Sequence, residues 1–255
     1  MWIIPLYLFI VGLFFGSFFN VCAERLSNNE SIIKPGSHCE NCNHQLSWYE
    51  LIPVFSYIFQ HGRCSNCHIK LSIQYPLTEL ITGILYMISY LIFGFTYNTL
   101  ISLVVVSVVI VTFISDSKYM IILDEVLITG EIFLLVLIFL DGGINYLLHS
   151  ILSGFVLFGI MLLIKLFGDK AFKQESLGWG DVKLSLFAGS VLGIKLGIVY
   201  IFLASIIALP YALITTKKNK SNILPFGPFL VLSLLIIFWN SGLFNSLLNI
   251  LIGGY

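Results

Sequence analysis

The sequence predicts an all-α polytopic membrane protein of about eight transmembrane helices, with a small polar module between the first and second helices. Composition is the first reason: of 255 residues, 58% are hydrophobic and only 10% charged, and the mean hydropathy is +0.98. A water-soluble domain of this length carries about a quarter charged residues, so water is not the solvent for most of this surface. The second reason is length, because apolar runs of about twenty residues, enough to cross a bilayer core, recur along the chain. Formal net charge is zero, so no global basic field points to nucleic acid as a partner.

Eight candidate spans follow, at roughly 2–22, 77–95, 98–115, 122–140, 144–166, 182–193, 195–214 and 226–252. The first lacks a basic segment ahead of its apolar part, and its first cation, Arg25, lies beyond it. It is expected to be a permanent helix rather than a cleaved signal. The sixth is short, which reads either as a half-span or as the start of a helix continuing from Asp181. Charge then orients the set. With Arg25 inside, the inside loops collect twelve of the thirteen Lys and Arg residues, including Lys217, Lys218 and Lys220, and leave only Lys195 outside. Cytoplasmic loops are where basic residues accumulate. Three regions result: a first transmembrane helix at 1–22, a cytoplasmic Cys-rich module at 23–75, and a membrane domain at 76–255.

The module holds four of the five cysteines and four of the five histidines. "CENC" supplies Cys39 and Cys42, "CSNC" supplies Cys64 and Cys67, and 21 residues separate the pairs. Two such pairs are the pattern of a four-thiolate zinc site, because each turn presents two sulfurs to one side of a tetrahedron. A cytoplasmic location argues against disulfides, and a thiol-redox pair is the lesser alternative. Four protein ligands leave no open position, so the zinc is expected to be structural. His44 and His68 follow the pairs and read either as substitute ligands or as solvated loop residues. Cys22, alone at a helix end, reads as a packing residue.

Carboxylates at membrane depth are costly, and each is a functional candidate. Asp116 ends the third apolar run in "TFISDSKYMIILDEV", and Asp181 lies in "GWGDVKL". The fourth and fifth spans lie between them, an even number, so both fall on the cytoplasmic side. Held close, two carboxylates do not both ionise cheaply: one keeps a proton and polarises a peptide carbonyl while the other takes a proton from water. Gly178 and Gly180 would let a substrate backbone approach and let the loop rearrange, Lys183 follows within the same loop motif, and Trp179 fits the headgroup level. A second reading of Asp181 remains open, as an N-cap accepting backbone N–H bonds. Asp124 and Glu125 read as capping or interfacial residues, His149 as interfacial, and Glu79, Glu131 and Asp141 have no evident partner.

These residues resemble the type IV prepilin peptidases, bifunctional leader peptidases and N-methyltransferases of bacterial membranes. "GSFFNVCAERL", "CENC", "LSWYELIPVFSY", "GRCSNC", "QYPLTELITG", "SDSKYMIILD" and "GWGDVKL" follow that family's order across nearly the whole chain. The resemblance implies a multi-pass protein of the bacterial cytoplasmic membrane that cuts the basic leader of prepilins or pseudopilins at the cytoplasmic face. It further implies methylation of the new N-terminal amine with S-adenosylmethionine. The family's catalytic aspartates fall on Asp116 and Asp181, and its zinc-type cysteines on Cys39, Cys42, Cys64 and Cys67. Leu123 stands where the family usually has proline, and Gln74 where arginine is common. No Rossmann-type glycine fingerprint is present, so methylation is implied by the resemblance alone. Two other classes compete: a transporter using Asp116 and Asp181 on an ion path, and a non-enzymatic scaffold displaying a zinc module.

Overall fold

The computed structural model describes residues 2–218 and 225–252, so Lys220 of the last basic loop lies outside the described residues. These residues form α1 (Ile3–Ser27), a 3-10 turn (Trp48–Leu51), α2 (Phe55–Phe59), α3 (Gln74–Phe93), α4 (Tyr97–Tyr119), α5 (Asp124–Phe172), α6 (Trp179–Lys218), α7 (Gly227–Trp239) and α8 (Ser241–Ile252). Five of the helices are long and apolar enough to cross a membrane, or six crossings if the bent pair α7–α8 counts as one. The chain divides into two compact units, Met1–Ile114 and Ser115–Tyr255.

In the first unit α1 and α3 approach backbone to backbone. A Cβ added at Gly12 would lie 2.7 Å from the Gly83 Cα, and one added at Gly16 would lie 2.7 Å from the Glu79 Cα. Small residues four apart allow this contact between helices in lipid, where hydrophobic burial supplies no drive. Polar bonds fix the register. Asn20 Nδ2 donates to the Thr78 hydroxyl and to the Gly16 carbonyl, and the Tyr75 hydroxyl donates to Glu24 Oε2 at 3.1 Å. Ser89 and Ser102 (2.8 Å) and Tyr86 and Ser107 (2.8 Å) link α3 to α4. Glu79 is buried and accepts the Val54 N–H at 2.7 Å, so this acid does have a partner.

The second unit depends on two glycine breaks. As one straight rod, the 49 residues of α5 would extend about 74 Å, well over twice a bilayer core. Gly143 interrupts the helix at φ 72°, a conformation that only glycine adopts freely. Ser190 shows that the halves fold back on one another. Its hydroxyl donates to Glu131 Oε1 at 2.7 Å, and its carbonyl accepts from the Ser150 hydroxyl at 2.7 Å. Nineteen residues of unbroken helix would hold positions 131 and 150 about 28 Å apart. Gly193, at φ 74°, breaks α6 in the same way, and an added Cβ at either Gly189 or Gly197 would meet the Leu157 side chain at 2.9 Å. Gly154 seats the second half of α5 against α6, where a Cβ would meet the Ser190 hydroxyl at 2.5 Å.

Two sequence expectations change. The run at 226–252 is not one straight span: α7 and α8 meet at 87°. Asn240 ends α7, its N–H at 3.2 Å and its side-chain Nδ2 at 2.9 Å both occupying the Ile236 carbonyl. The first helix runs five residues further than expected, to Ser27, with Arg25 in its last turn, where a cation suits the helix dipole. The Arg25 guanidinium also holds the returning chain at the Pro35 carbonyl (2.7 Å).

If backbone contact holds α1 to α3, Gly16→Ala lowers stability by about 1–3 kcal/mol. Gly159→Ala, where an added Cβ meets nothing within 4 Å, is neutral or stabilising by up to about 1 kcal/mol. Thermal unfolding of both variants in detergent measures the contrast, and equal shifts would remove the α1–α3 contact as the cause.

Candidate active site and metal centre

Asp116 lies one turn before the end of α4, and Asp181 lies in the first turn of α6. Both are buried, at 6% and 7% exposure, and each meets a backbone N–H at the start of a helix. Asp116 Oδ2 accepts from the Gly227 N–H at 2.9 Å, the first residue of α7. The Asp181 carboxylate faces the Gly178 N–H, one residue ahead of α6. Unpaired amides and the positive end of the dipole make helix starts favourable for negative charge. Asp181 therefore caps from inside the first turn, as the third residue of a capping box does, rather than from the N-cap position. The two readings of Asp181 are compatible.

The aspartates lie close enough for the charge of Asp116 to act on Asp181. Ile122, in the loop after α4, packs beside Gly180 and Gly227. A Cβ on Gly180 would stand 2.7 Å from the Ile122 Cβ, and one on Gly227 would stand 3.2 Å from its Cδ1 and 2.6 Å from Asp116 Oδ2. The space that Gly180 leaves is thus filled by Ile122, not held open for a substrate backbone. Gly178 is tight for another reason, since its Cβ would lie 3.2 Å from Asp181 Oδ2. Leu123 has φ −80° and ψ 120°, angles that proline also adopts, so the loop keeps its shape without proline.

Two lysines frame this region. Lys183 Nζ binds both oxygens of Asp124, at 2.8 and 2.6 Å, tying the start of α6 to the start of α5. The pair is about half exposed and so worth at most about 1 kcal/mol. Lys165, in α5, is only 2% exposed. Its Nζ donates to the Leu177 carbonyl at 2.5 Å, pairs with Glu175 and Asp169 at 3.3 Å each, and stands 5.4 Å above the Trp179 ring. Glu131, without an evident partner in the sequence, has the Ser190 hydroxyl, whereas Asp141, His149 and Glu125 are exposed.

The four cysteines of the module converge, with all four sulfurs within 4.8 Å of one another. Cys39 and Cys67 are 3.8 Å apart, and Cys42 and Cys64 are 3.9 Å apart. Tetrahedral zinc with Zn–S bonds of about 2.3 Å places its sulfurs about 3.8 Å apart, so these residues fit the ion. The module is built from two matched turns. Cys39 N–H donates to the His44 carbonyl (2.9 Å) as Cys64 N–H does to that of Ile69 (3.0 Å), and Asn43 and His68 both take left-handed φ, 54° and 58°. Asn41 donates to Cys67 Sγ at 3.5 Å, and Asn66 returns the contact to Cys42 Sγ at 3.7 Å. The Ile69 N–H and Asn41 favour the anion at Cys67 and push this thiol down to about 6. His44 turns away from the sulfurs to Glu50 Oε2 at 3.2 Å. Glu50 also accepts the Ser47 N–H and the Ser65 hydroxyl, at 2.8 and 2.6 Å, thereby joining the two turns. Burial pushes the Glu50 carboxyl up, but these donors outweigh it and hold it below the usual range.

Gly227 and Lys165 belong to the site, and sequence reasoning alone misses both. Gly227 carries a signal in "FGPF", a Gly-Pro step opening an apolar run. Lys165 carries none, being one cation among many in the sequence, and only its burial sets it apart.

Residues 10–93 match the family model of the bacterial peptidase A24 N-terminal domain, and residues 103–213 that of the type IV leader peptidase family. The prepilin leader peptidase/N-methyltransferase of Bacillus subtilis is 32% identical over 227 residues, covering 87% of this chain and 88% of that protein. The protein of the same name from Neisseria gonorrhoeae is 31% identical over 255 residues, covering 90% and 88%. That from Myxococcus xanthus is 34% identical over 186 residues, covering 73% of this chain and 55% of the relative, so the match spans about half of that longer protein. No solved structure matches the chain. Two family models in tandem, and relatives matched along most of their length, place this chain in the type IV leader peptidase family.

Proposed function

We propose that this chain is a bacterial membrane aspartic endopeptidase that removes the leader of prepilins or pseudopilins and then methylates the new N-terminal amine. The relatives' shared name supports both activities. The observation that carries the cleavage reading is the burial of two aspartates, Asp116 and Asp181, near enough for the charge of one to act on the other.

In this reading one carboxylate takes a proton from a water molecule whose oxygen attacks the scissile carbonyl carbon. The other, protonated, gives its proton to the carbonyl oxygen. Collapse of the tetrahedral intermediate breaks the C–N bond: the leaving amine takes the proton that the first carboxyl had taken from water, and a hydroxyl proton of the intermediate returns to the second carboxylate. The Gly227 amide holds the Asp116 carboxylate in place, so little rearrangement is needed there when charge moves.

The glycine breaks favour eight crossings, with α5 and α6 each supplying two and α7–α8 the last. The two crossings of α5 then return Asp181 to the face that holds Asp116, and the basic loops make that face cytoplasmic. A prepilin, with a basic leader in the cytoplasm and an apolar helix in the bilayer, brings its cut point to the same depth.

Cys39, Cys42, Cys64 and Cys67 are the ligands this reading gives to zinc, which when bound supplies a closed tetrahedral cross-link for a segment too short to build its own core. S-adenosylmethionine is the methyl donor that the relatives' name calls for, and no residue is assigned to it.

Asp116→Asn and Asp181→Asn should each lower leader cleavage on the order of 10³–10⁴-fold while the protein still accumulates in the membrane. Cleavage of a purified prepilin, followed by mass, measures this, and full cleavage by either variant contradicts the dyad. Metal analysis of the purified protein should return stoichiometric zinc, and Cys39→Ser should lose it and open the 23–75 segment to proteolysis first. Wild-type protein that contains no zinc removes the metal from this account.

A further inference from the structure

Lys165 and Asp181 address opposite ends of one peptide group. The Leu177 carbonyl, which accepts from Lys165 Nζ at 2.5 Å, and the N–H of Gly178, the residue on which an added Cβ would stand 3.2 Å from Asp181 Oδ2, belong to the same planar unit. In a trans peptide these two groups point in opposite directions, so fixing the oxygen fixes where the N–H points. We propose that Lys165 is a positioning residue for leader cleavage, orienting and polarising the 177–178 peptide so that its N–H holds Asp181 in the reactive geometry. This inference rests on the reading of Asp181 as catalytic.

Several observations favour this role over a simple surface tie. Lys165 is 2% exposed, and a buried cation is tolerated only where its bonds are good. Its carboxylate partners lie toward solvent: the Asp169 and Glu175 side chains are 31% and 76% exposed, so those pairs are screened and weak. The Leu177 carbonyl is the shortest of its contacts. A hydrogen bond to a cation strengthens the donor at the far end of the same peptide, because linked hydrogen bonds polarise one another.

The loop has a second anchor in Asp169, which pairs with Lys165 through its other oxygen, Oδ2. Asp169 Oδ1 accepts the Ser176 N–H at 2.6 Å and its hydroxyl at 2.8 Å. Loss of Lys165 removes its pairs with Asp169 and Glu175 but leaves the Ser176 bonds to Asp169 Oδ1, so the largest change falls on the 177–178 peptide. No glycine-x-glycine-aspartate pattern reveals this link, since the lysine lies twelve residues before Leu177 on another helix.

The test compares Lys165→Met, Lys165→Arg and Asp181→Asn with the wild type, using purified full-length proteins and a prepilin substrate. It measures kcat and KM separately, with thermal unfolding as a control. Lys165→Met should lower kcat by about 10–100-fold, the scale of a small misplacement of a reacting group, and leave KM within about twofold. Lys165→Arg, which keeps a cation for the carbonyl, should recover kcat to within about fivefold of the wild type. Hydrogen exchange should rise in the peptide covering 173–181 of the methionine variant and stay unchanged in α5. A methionine variant within about twofold of the wild type, beside an inactive Asp181→Asn, overturns the role of Lys165 alone. Full cleavage by Asp181→Asn overturns the catalytic reading beneath it. If the methionine variant does not accumulate, the arginine variant decides: one that unfolds at the wild-type temperature yet is as slow as Asp181→Asn overturns the proposal.

Discussion

Burying two carboxylates within reach of one another's charge in an apolar helical unit is the constraint to which the rest of the second unit answers. An ionised group away from water costs several kcal/mol unless dipoles replace its hydration. Asp116 obtains such a dipole from the Gly227 amide at the start of α7, and Asp181 lies beside Gly178 at the start of α6. Glycine at position 227 allows this approach, because a side chain there would collide with Asp116 itself. The breaks at Gly143 and Gly193 bring α5 and α6 back on themselves, so that helix starts and ends meet around Ile122. Lys165 adds a third layer through the 177–178 peptide, and Lys183 with Asp124 ties the two helix starts from outside.

The first unit solves a different problem by a different means. Lipid offers no hydrophobic drive for helix association, so α1 and α3 are held by backbone contact at Gly12, Gly16 and Gly83 and by the Asn20–Thr78 bond. The segment between them has too little apolar surface for a core of its own. Its order comes from four converging sulfurs and from Glu50, which joins the two cysteine turns through His44 and Ser65. The module is thus organised by polar bonds and converging sulfurs, while α1 and α3 are organised by close packing.

Much of this is legible in the sequence, for identifiable reasons. Apolar length marks the helices, and positions 143 and 193 fall at the boundaries of expected spans because glycine both breaks helices and lowers local hydropathy. The Cys-x-x-Cys spacing foretells the sulfur cluster because metal geometry constrains spacing tightly. The bend at Asn240 is not legible, since a single polar residue inside an apolar run leaves the hydropathy almost unchanged. Neither is Lys165, whose meaning comes from burial and from a carbonyl twelve residues away. The contact of Gly180 with Ile122 is not legible, because sequence spacing cannot say which side chain lies beside a glycine. The matched turns around Asn41 and Asn66 are visible as Cys-x-Asn-Cys in both pairs, yet the sequence does not say that each asparagine reaches across to a sulfur of the other pair.

The central claim is that Asp116 and Asp181 act as one unit on one water molecule, and the double substitution to asparagine tests it most directly. Groups that act together lose their effect once. The account predicts that the double variant cleaves prepilin no more slowly than the slower single variant. A double variant in which the two losses multiply would show that the aspartates act independently and would contradict the account.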